Sequence, residues 1–260
     1  MPRCVLSKGP AFWRLPAPVF AGFVCFGAVC SGAAAEPRPI AAAAAEHDAA
    51  GRRDELSDAR IDWDANRVMR AIGNMSENLN ATEYSHGFRV NEREGVYVFD
   101  CSGFADWLLG KAAPLARASL RFGLKQRPLA RDFQRRLARL PTATERSGWR
   151  RVARVVDIEP GDVVAWLKPD IIRSPNTGHV AFAVHRPVPA PGYGDAYLVR
   201  VADSTSLLHD DDTRVGRNGF GLGTILLVAD PETGAPVAYG WAGLRWRSFE
   251  TPIALGRPVK

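Results

Sequence analysis

The chain has 260 residues, of which 46% are hydrophobic and 24% are charged, a composition typical of a globular protein with a sizeable core. Its formal net charge is +6, and residues 1–35 contribute three basic residues and no acidic one. Without them the net charge falls to +3, which is too small to indicate nucleic acid or an anionic membrane as a partner.

Residues 1–35 have the layout of a secretory signal peptide. After the basic start, an apolar run covers residues 18–29, and small residues fill positions 33–35 before Glu36. This order of segments is typical of a leader that is removed during export. We therefore expect a mature protein that begins at Glu36, lies in the periplasm or outside the cell, and keeps no stable membrane span.

Composition divides the remaining chain into a tail and one domain. Residues 36–57 are rich in alanine, proline and charge without apolar periodicity, which predicts a disordered or loosely helical tail. Residues 58–260 show no repeat and no shift of composition that would mark a second domain. We expect them to form a single domain, and the sequence leaves its oligomeric state open.

The order of periodic patterns in this domain predicts an α+β fold. Apolar residues spaced three and four apart predict helices over 61–79, after Asp100, and over 129–140. The segment 84–95 is expected to be irregular. From Trp149 onward, short β-rich runs separated by turns predict an antiparallel sheet. The expected strands cover 163–167, 179–185, 197–203, 224–229 and part of 237–246.

Cys101 is the first candidate for chemistry. The other cysteines, Cys4, Cys25 and Cys30, lie in the predicted leader, so the mature chain has one thiol and no disulfide partner for it. Asp100 is a good N-cap, which places the thiol in the first turn of a helix. Free N–H groups and the helix dipole favour a thiolate there, so we expect a lowered pKa. The alternative is a small buried cysteine without chemistry.

His179 and Asp203 are the candidate partners of the thiol. Cysteine catalysis needs a base for the sulfur and a group that orients this base. His179 begins a predicted strand just after a loop, and Gly178 allows the chain to turn closely there. His185 lies six residues further on, about 20 Å away in an extended strand, so the two cannot both reach one sulfur. Asp203, at the end of the next strand, could orient the imidazole or could be only a turn residue.

Other polar clusters are weaker candidates. The run His209–Asp212 could bind a divalent cation, but a solvated turn is the simpler interpretation. The glycines between 216 and 223 precede a strand and lack the context of a phosphate loop, so we interpret them as turn glycines. His86 is expected in an exposed loop. The sequence therefore predicts no metal and no cofactor.

Three ordered segments resemble the NlpC-type papain-like cysteine peptidases, a family of bacterial cell-wall endopeptidases related to CHAP amidases. The resemblance covers about 84–203 and implies a papain-like fold, with N-terminal helices packed on a C-terminal antiparallel sheet. It also implies Cys101 as the nucleophile, His179 as the base and Asp203 as the third polar residue. The segments that carry it are Phe99–Phe104, Pro160–Trp166 and Gly178–Ala181.

The same resemblance supplies the remaining assignments. The family places a tyrosine near the oxyanion site, for which Tyr84 is the nearest candidate, with Tyr97 behind it. Ser102, directly after the nucleophile, is assigned with Tyr84 to the oxyanion or substrate site. The implied substrate and partner is a peptidoglycan stem peptide, hydrolysed at an amide bond through an acyl-enzyme.

Two alternatives remain open. The thiol could serve an acyltransferase or amidase with another substrate, or the fold could belong to a catalytically silent wall-binding or envelope-assembly protein. The reactivity of the thiol separates the enzymes from the silent protein, because an unactivated thiol reacts little below its ordinary pKa.

Export is tested by the N-terminus of protein recovered from a secreting bacterial host. We expect mass spectrometry to give a mature chain that begins at Glu36. The variant Ala35→Arg should keep its leader, because the cleavage site accepts only small side chains at that position. Recovery of an intact leader from the unchanged chain would contradict the prediction.

Overall fold

The structure is a computed structural model that describes residues 48, 51–56, 58–214, 218–245 and 248–259. The predicted leader and most of the predicted tail lie outside the described residues. Within the tail, residues 51–56 are helical, and Arg53 forms ion pairs with Asp210 at 3.7 Å and Asp211 at 3.4 Å. Leu56 is buried in an apolar cluster with residues of the domain. Of the two alternatives for the tail, this part follows the helical one, and its ion pairs and the burial of Leu56 hold it against the domain.

Helices lie mainly in the N-terminal half of the domain and long strands in the C-terminal half, which confirms the predicted α+β class. The helices are α1 (Arg67–Glu77), α2 (Cys101–Ala112), α3 (Pro114–Arg121) and α4 (Ala130–Ala138). Three short strands are β1 (Ala81–Glu83), β2 (Arg89–Asn91) and β3 (Val96–Val98). The others are β4 (Trp149–Val152), β5 (Val163–Leu167), β6 (Gly178–Ala183), β7 (Val188–Pro189), β8 (Ala196–Thr205), β9 (Gly219–Ala229), β10 (Pro236–Gly240), β11 (Phe249–Glu250) and β12 (Ile253–Pro258).

Strands β4 to β12 form one large sheet. Its order is β11–β10–β9–β8–β6–β5–β12–β4, with β7 paired to β8 outside this path. The pairings among these described strands are all antiparallel. Strand β10 contacts β12 although four strands separate them in the sheet, so the sheet is strongly curved.

The sheet buries side chains on both faces. Along β5, Val163 and Ala165 belong to the cluster that the helices cover, whereas Val164 and Trp166 belong to a second cluster on the other face. Helix α2 contacts β6 and β8, and α4 contacts β5, β6 and β12. In β6, Val180 lies on the helix side of this alternation. Burial on both faces explains why the strands appear as continuous apolar runs in the sequence.

The helix boundaries follow local capping more closely than apolar periodicity. Helix α1 begins after Asn66, whose side-chain oxygen accepts a hydrogen bond from the N–H of Met69 at 3.0 Å, so it is shorter than the predicted span 61–79. Helix α3 was not predicted, because Ala116 and Leu120, its buried residues, form too weak a pattern. Among the described residues, we find no helix with the length and apolar character that crossing a bilayer requires.

The segment predicted to be irregular takes part in a second, three-stranded sheet with the order β1–β3–β2. Strands β1 and β3 are parallel, with Glu83 opposite Val98. The pairing continues beyond the strands, because the N–H of Phe99 donates to Glu83 and the N–H of Ser85 donates to Phe99. Tyr84 therefore lies beside the chain that enters α2. Strands of three residues are too short for alternation to reveal them in the sequence.

A buried ion pair joins the turn before β5 to β12. Asp162 is fully buried and accepts hydrogen bonds from Arg257, Nε to Oδ1 at 2.8 Å and Nη2 to Oδ2 at 2.9 Å. The same carboxylate accepts the N–H of Glu159 at 2.8 Å, which holds the turn closed. Removing one member of a buried pair is costly, because the remaining charge loses its compensation.

We expect Arg257→Met to lower the free energy of unfolding by about 3 kcal/mol, since it leaves the Asp162 carboxylate buried and unpaired. Arg150→Met is the matched control: Arg150 lies opposite Arg257 in the pairing of β4 with β12, and its partner Glu145 is half exposed. The control should cost less than about 1 kcal/mol. Chemical denaturation measures both, and equal losses would show that the buried pair has no special weight.

Candidate functional site

Cys101 is the first residue of α2, as predicted. The side chain of Asp100 caps the helix by accepting a hydrogen bond from the N–H of Gly103 at 2.7 Å. Backbone N–H groups of Val180 and Ser102 donate to the Cys101 sulfur. The N–H of Val180 belongs to the peptide group that joins it to His179, so the sulfur lies against β6 at the level of the candidate base.

The thiol does not have the lowered pKa expected at a helix start. Cys101 is buried, and burial raises its pKa to about 12, with a further contribution from the Asp100 carboxylate. The two N–H donors oppose this shift but are outweighed. In this conformation the sulfur is a neutral thiol, and the expectation of a resting thiolate is wrong because desolvation exceeds the effect of the helix N-terminus.

His179 and Asp203 contact each other directly. Nε2 of His179 lies 2.5 Å from Oδ2 of Asp203, and both residues are buried. They come from neighbouring antiparallel strands, β6 and β8, whose register places Phe182 opposite Ala202. Since the carboxylate accepts the proton on Nε2, the neutral ring has a free lone pair on Nδ1. Of the two interpretations of Asp203, the structure favours the one in which it orients the imidazole.

Gly178 permits this placement of His179. Its φ is +144°, and a Cβ at this position would overlap the carbonyl oxygen of Trp166 on the neighbouring strand. The His179 ring packs between Trp166 and Trp241, with centroid separations of 5.0 and 4.8 Å. Burial lowers the pKa of His179 below its ordinary value, against the attraction of Asp203, so the ring is neutral at neutral pH.

Among the residues that the structure describes, the thiol of Cys101 and the ring of His179 are not joined by a hydrogen bond in this conformation. The sulfur contacts the backbone of β6, whereas Nε2 of His179 faces Asp203. Hydrogen bonds of catalytic groups are often long in a free protein and shorten when substrate binds.

His209 and Arg214 complete the surroundings of Asp203, and the sequence identified neither as a partner of this carboxylate. Nε2 of His209 lies 2.8 Å from the same Oδ2, and its Nδ1 lies 2.9 Å from the carbonyl oxygen of Trp241. Arg214 binds Oδ1 of Asp203 and also pairs with Asp212 at 2.5 Å. Burial alone would raise the pKa of Asp203, but His209, Arg214 and His179 hold it well below its usual range.

The expectation of a solvated turn at 209–212 is therefore wrong. His209 and Asp210 are buried, and an isolated bridge pairs Asp210 with Thr224 of β9. Three aspartates beside a histidine are typical of a solvent-facing turn, and only the fold shows that this run pairs with β9. One indication was present in the sequence, because the glycines of β9 leave space for these side chains.

Gly221 and Gly223 lie within β9, so their interpretation as turn residues is also wrong. A Cβ on Gly223 would approach Cβ of His209 to 2.6 Å, and one on Gly221 would collide with the side chain of Arg214. The two glycines thus form a flat surface on which His209 and Arg214 pack. Glycine in a strand often marks such a close approach.

Tyr84 and Ser102 occupy different positions relative to the thiol. Tyr84 is half-buried, and burial, followed by the proximity of Cys101 and Asp100, raises its pKa. The hydroxyl of Ser102 donates to Asp100 at 3.0 Å and accepts from Arg127 at 2.7 Å, so its side chain is already engaged. The part of Ser102 that faces the sulfur is its backbone N–H. Tyr97 is buried in the core cluster.

The carboxylate of Asp100, at the N-terminus of α2, also contacts two further side chains. Arg127 contacts its Oδ2 at 2.6 Å, and Nδ1 of the exposed His86 lies 3.1 Å from the same oxygen. Burial would raise the pKa of Asp100, but Arg127, His86 and the N–H of Gly103 lower it. His86 is thus in an exposed loop, as predicted, yet it contacts the cap of the cysteine helix.

A cavity of about 410 Å³ borders the candidate site. His179, Gly178 and Tyr84 are among the residues that line it. Aromatic side chains of β5 and of the β10 region form much of the remaining wall. Through this cavity a substrate could reach the ring of His179.

Among the described residues, one cluster has a donor set suited to a metal ion, because its ligand atoms lie within 4.8 Å of one another. The cluster consists of His179, Asp203 and His209. The separations of 2.5 and 2.8 Å between nitrogen and oxygen fit hydrogen bonds. Arg214 supplies a positive charge on the other carboxylate oxygen. Hydrogen bonding therefore accounts for the cluster without an ion.

Comparisons with known proteins provide no named function. No known family model and no solved structure matches the chain. The chain is similar to an uncharacterized protein of Acanthamoeba polyphaga mimivirus, with 29% identity over 193 residues, which are 65% of this chain and 82% of that protein.

The raised pKa of Cys101 predicts slow alkylation of the folded protein. At pH 8 we expect iodoacetamide to modify the peptide that contains Cys101 roughly a thousandfold more slowly than in the denatured chain, because the thiolate fraction is so small. Mass spectrometry of that peptide over a pH series measures the rate, and the same chain in denaturant is the control. Rapid labelling of folded protein at pH 6 would contradict the prediction.

Proposed function

We propose that the protein is a thiol-dependent amide hydrolase of papain-like type, in which Cys101 is the nucleophile and His179 the base. The observation that carries this proposal is the contact between His179 and Asp203. It fixes the tautomer whose Nδ1 can take a proton, and the sulfur lies near the backbone N–H of Val180, the residue after His179. The motifs that resemble the NlpC-type peptidases support the same assignment of roles.

The resting pair in this proposal consists of a neutral thiol and a neutral imidazole. The Cys101 sulfur attacks the substrate carbonyl carbon while its proton moves to Nδ1 of His179. That proton then passes to the leaving amine as the carbon–nitrogen bond breaks, and a thioester remains. Water, deprotonated by His179, attacks the thioester, which releases the carboxylic acid and restores the thiol.

Two groups are suited to stabilise the oxyanion. The backbone N–H of Ser102 lies in the first turn of α2, where no helical acceptor is available, and the Tyr84 hydroxyl lies near the thiol. The raised pKa of Tyr84 keeps its hydroxyl protonated and able to donate. Ser102 would act through its backbone, because its hydroxyl is held by Asp100 and Arg127.

A peptidoglycan stem peptide is the substrate that the resemblance implies, and export to the periplasm or beyond would bring the enzyme to it. Both remain predictions from the sequence. An acyltransferase or amidase with a different acyl substrate would use the same thiol and the same base.

A second candidate is a protein that retains the fold without catalysis. The observation that favours it is the buried thiol, whose raised pKa is opposite to that of an activated cysteine. A silent protein would show no turnover of any amide, no acyl-enzyme and no effect of Cys101→Ala on its binding partners.

Variants of Cys101 and of the neighbouring histidines His179 and His185 test the proposal. We expect Cys101→Ala and His179→Ala to lower amide hydrolysis, measured as muropeptide or acyl-anilide cleavage, by at least about a thousandfold. His185→Ala is the matched control and should retain activity, since Nε2 of His185 contacts the carbonyl of Ala59, outside the site. Equal activity of parent and Cys101→Ala would exclude this nucleophile.

The pH profile of the reaction tests the role of His179, and the effect of a chelator distinguishes this mechanism from a metal-dependent one. Because His179 must be neutral to accept the thiol proton and burial lowers its pKa, the acidic limb of kcat/KM should lie below pH 6.5. A chelator should leave the rate unchanged. Loss of activity in chelator with recovery on adding a divalent cation would instead assign His179, Asp203 and His209 to a metal.

A further inference from the structure

We propose that the cavity beside His179 binds an apolar chain of the substrate, so that the preferred substrate is the amide of an aliphatic or aromatic acyl group. This inference rests on the proposed function and adds the substrate class. The cavity of about 410 Å³ is continuous with the candidate site through His179 and Tyr84, which line its wall.

The wall of the cavity is formed largely by hydrocarbon. Besides Tyr84, four aromatic side chains line it, and Ile172 and Leu207 add aliphatic surface; these four aromatic residues are Trp166, Tyr239, Trp241 and Phe249. Rings of this kind contribute large apolar areas, and a ligand gains binding free energy in proportion to the apolar area that it buries there.

The polar atoms of these rings already have partners in the protein. The indole N–H of Trp241 donates to the carbonyl of Leu208 at 3.2 Å, and the side chain of Trp166 forms a hydrogen bond with the Tyr239 hydroxyl. A ligand therefore meets ring faces and edges at these positions. A polar group placed against them would lose hydrogen bonds to water without replacement.

The cavity also has few charged groups that could pair with an ionic substrate. Of the described residues that line it, Lys168 is the only lysine or arginine, and none is acidic. The Lys168 ammonium donates to the carbonyl of Ile172 at 2.7 Å, which already occupies part of its hydrogen-bonding capacity. A substrate rich in carboxylates would find little compensation here, whereas an acyl chain needs none.

A series of acyl p-nitroanilides from acetyl to hexanoyl tests the proposal on the unchanged protein. We expect kcat/KM to rise about fourfold for each added CH2 group, because each is transferred from water to the cavity. Ile172→Glu should remove this dependence on chain length, because its carboxylate would lie against the acyl chain. Ile171→Glu is the matched control, since Ile171 is exposed and does not line the cavity.

Binding to Cys101→Ala separates failure of this inference from failure of the proposed function. We expect hexanamide to change the tryptophan fluorescence of this variant and acetamide not to do so. Binding of hexanamide without hydrolysis by the parent would uphold the cavity and overturn the hydrolase. Hydrolysis with equal kcat/KM for acetyl and hexanoyl substrates, or faster cleavage of muropeptides than of hexanoyl amide, would overturn the apolar pocket and uphold the hydrolase.

Discussion

The candidate site depends on one buried carboxylate. Asp203 accepts hydrogen bonds from His179 and His209 and forms an ion pair with Arg214. His179 belongs to β6, whereas His209 and Arg214 come from one segment that follows β8. An isolated carboxylate at this depth would be strongly destabilised, so the three donors make its burial possible. In return, the carboxylate determines the orientation of the His179 ring.

The sequence predicts the parts of this arrangement that depend on local chemistry. The Asp100 cap, the cysteine at the start of α2, the strand that begins near His179 and the contact of His179 with Asp203 are all found in the structure. Each follows from a pattern within a few residues or from the alternation of side chains along neighbouring strands.

The parts that the sequence could not predict depend on contacts between distant segments. His209 and Arg214 reach Asp203 only because their segment pairs with β9, whereas the neighbouring aspartates suggested an exposed turn. Tyr84 lies near Cys101 because β1 and β3 pair in parallel, although each strand has only three residues. Such pairings are decided by the whole fold and not by local propensity.

The raised pKa of Cys101 illustrates the same limit. A helix N-terminus stabilises a thiolate by a modest amount, whereas complete removal from water acts in the opposite direction and is larger. The position of Cys101 at the helix start could be derived from the sequence, but its depth below the surface could not. The depth of the thiol depends on how α2 packs against β6, and this packing decides which of the two effects on the pKa is larger.

The contacts on both oxygens of Asp203 have a consequence for its freedom to turn. The ring of His209 lies between Oδ2 of Asp203 and the carbonyl oxygen of Trp241, and Arg214 holds Oδ1. Rotation of the carboxylate would therefore break contacts at both oxygens. A proton that reaches His179 during the reaction is then stabilised by a carboxylate that keeps its direction.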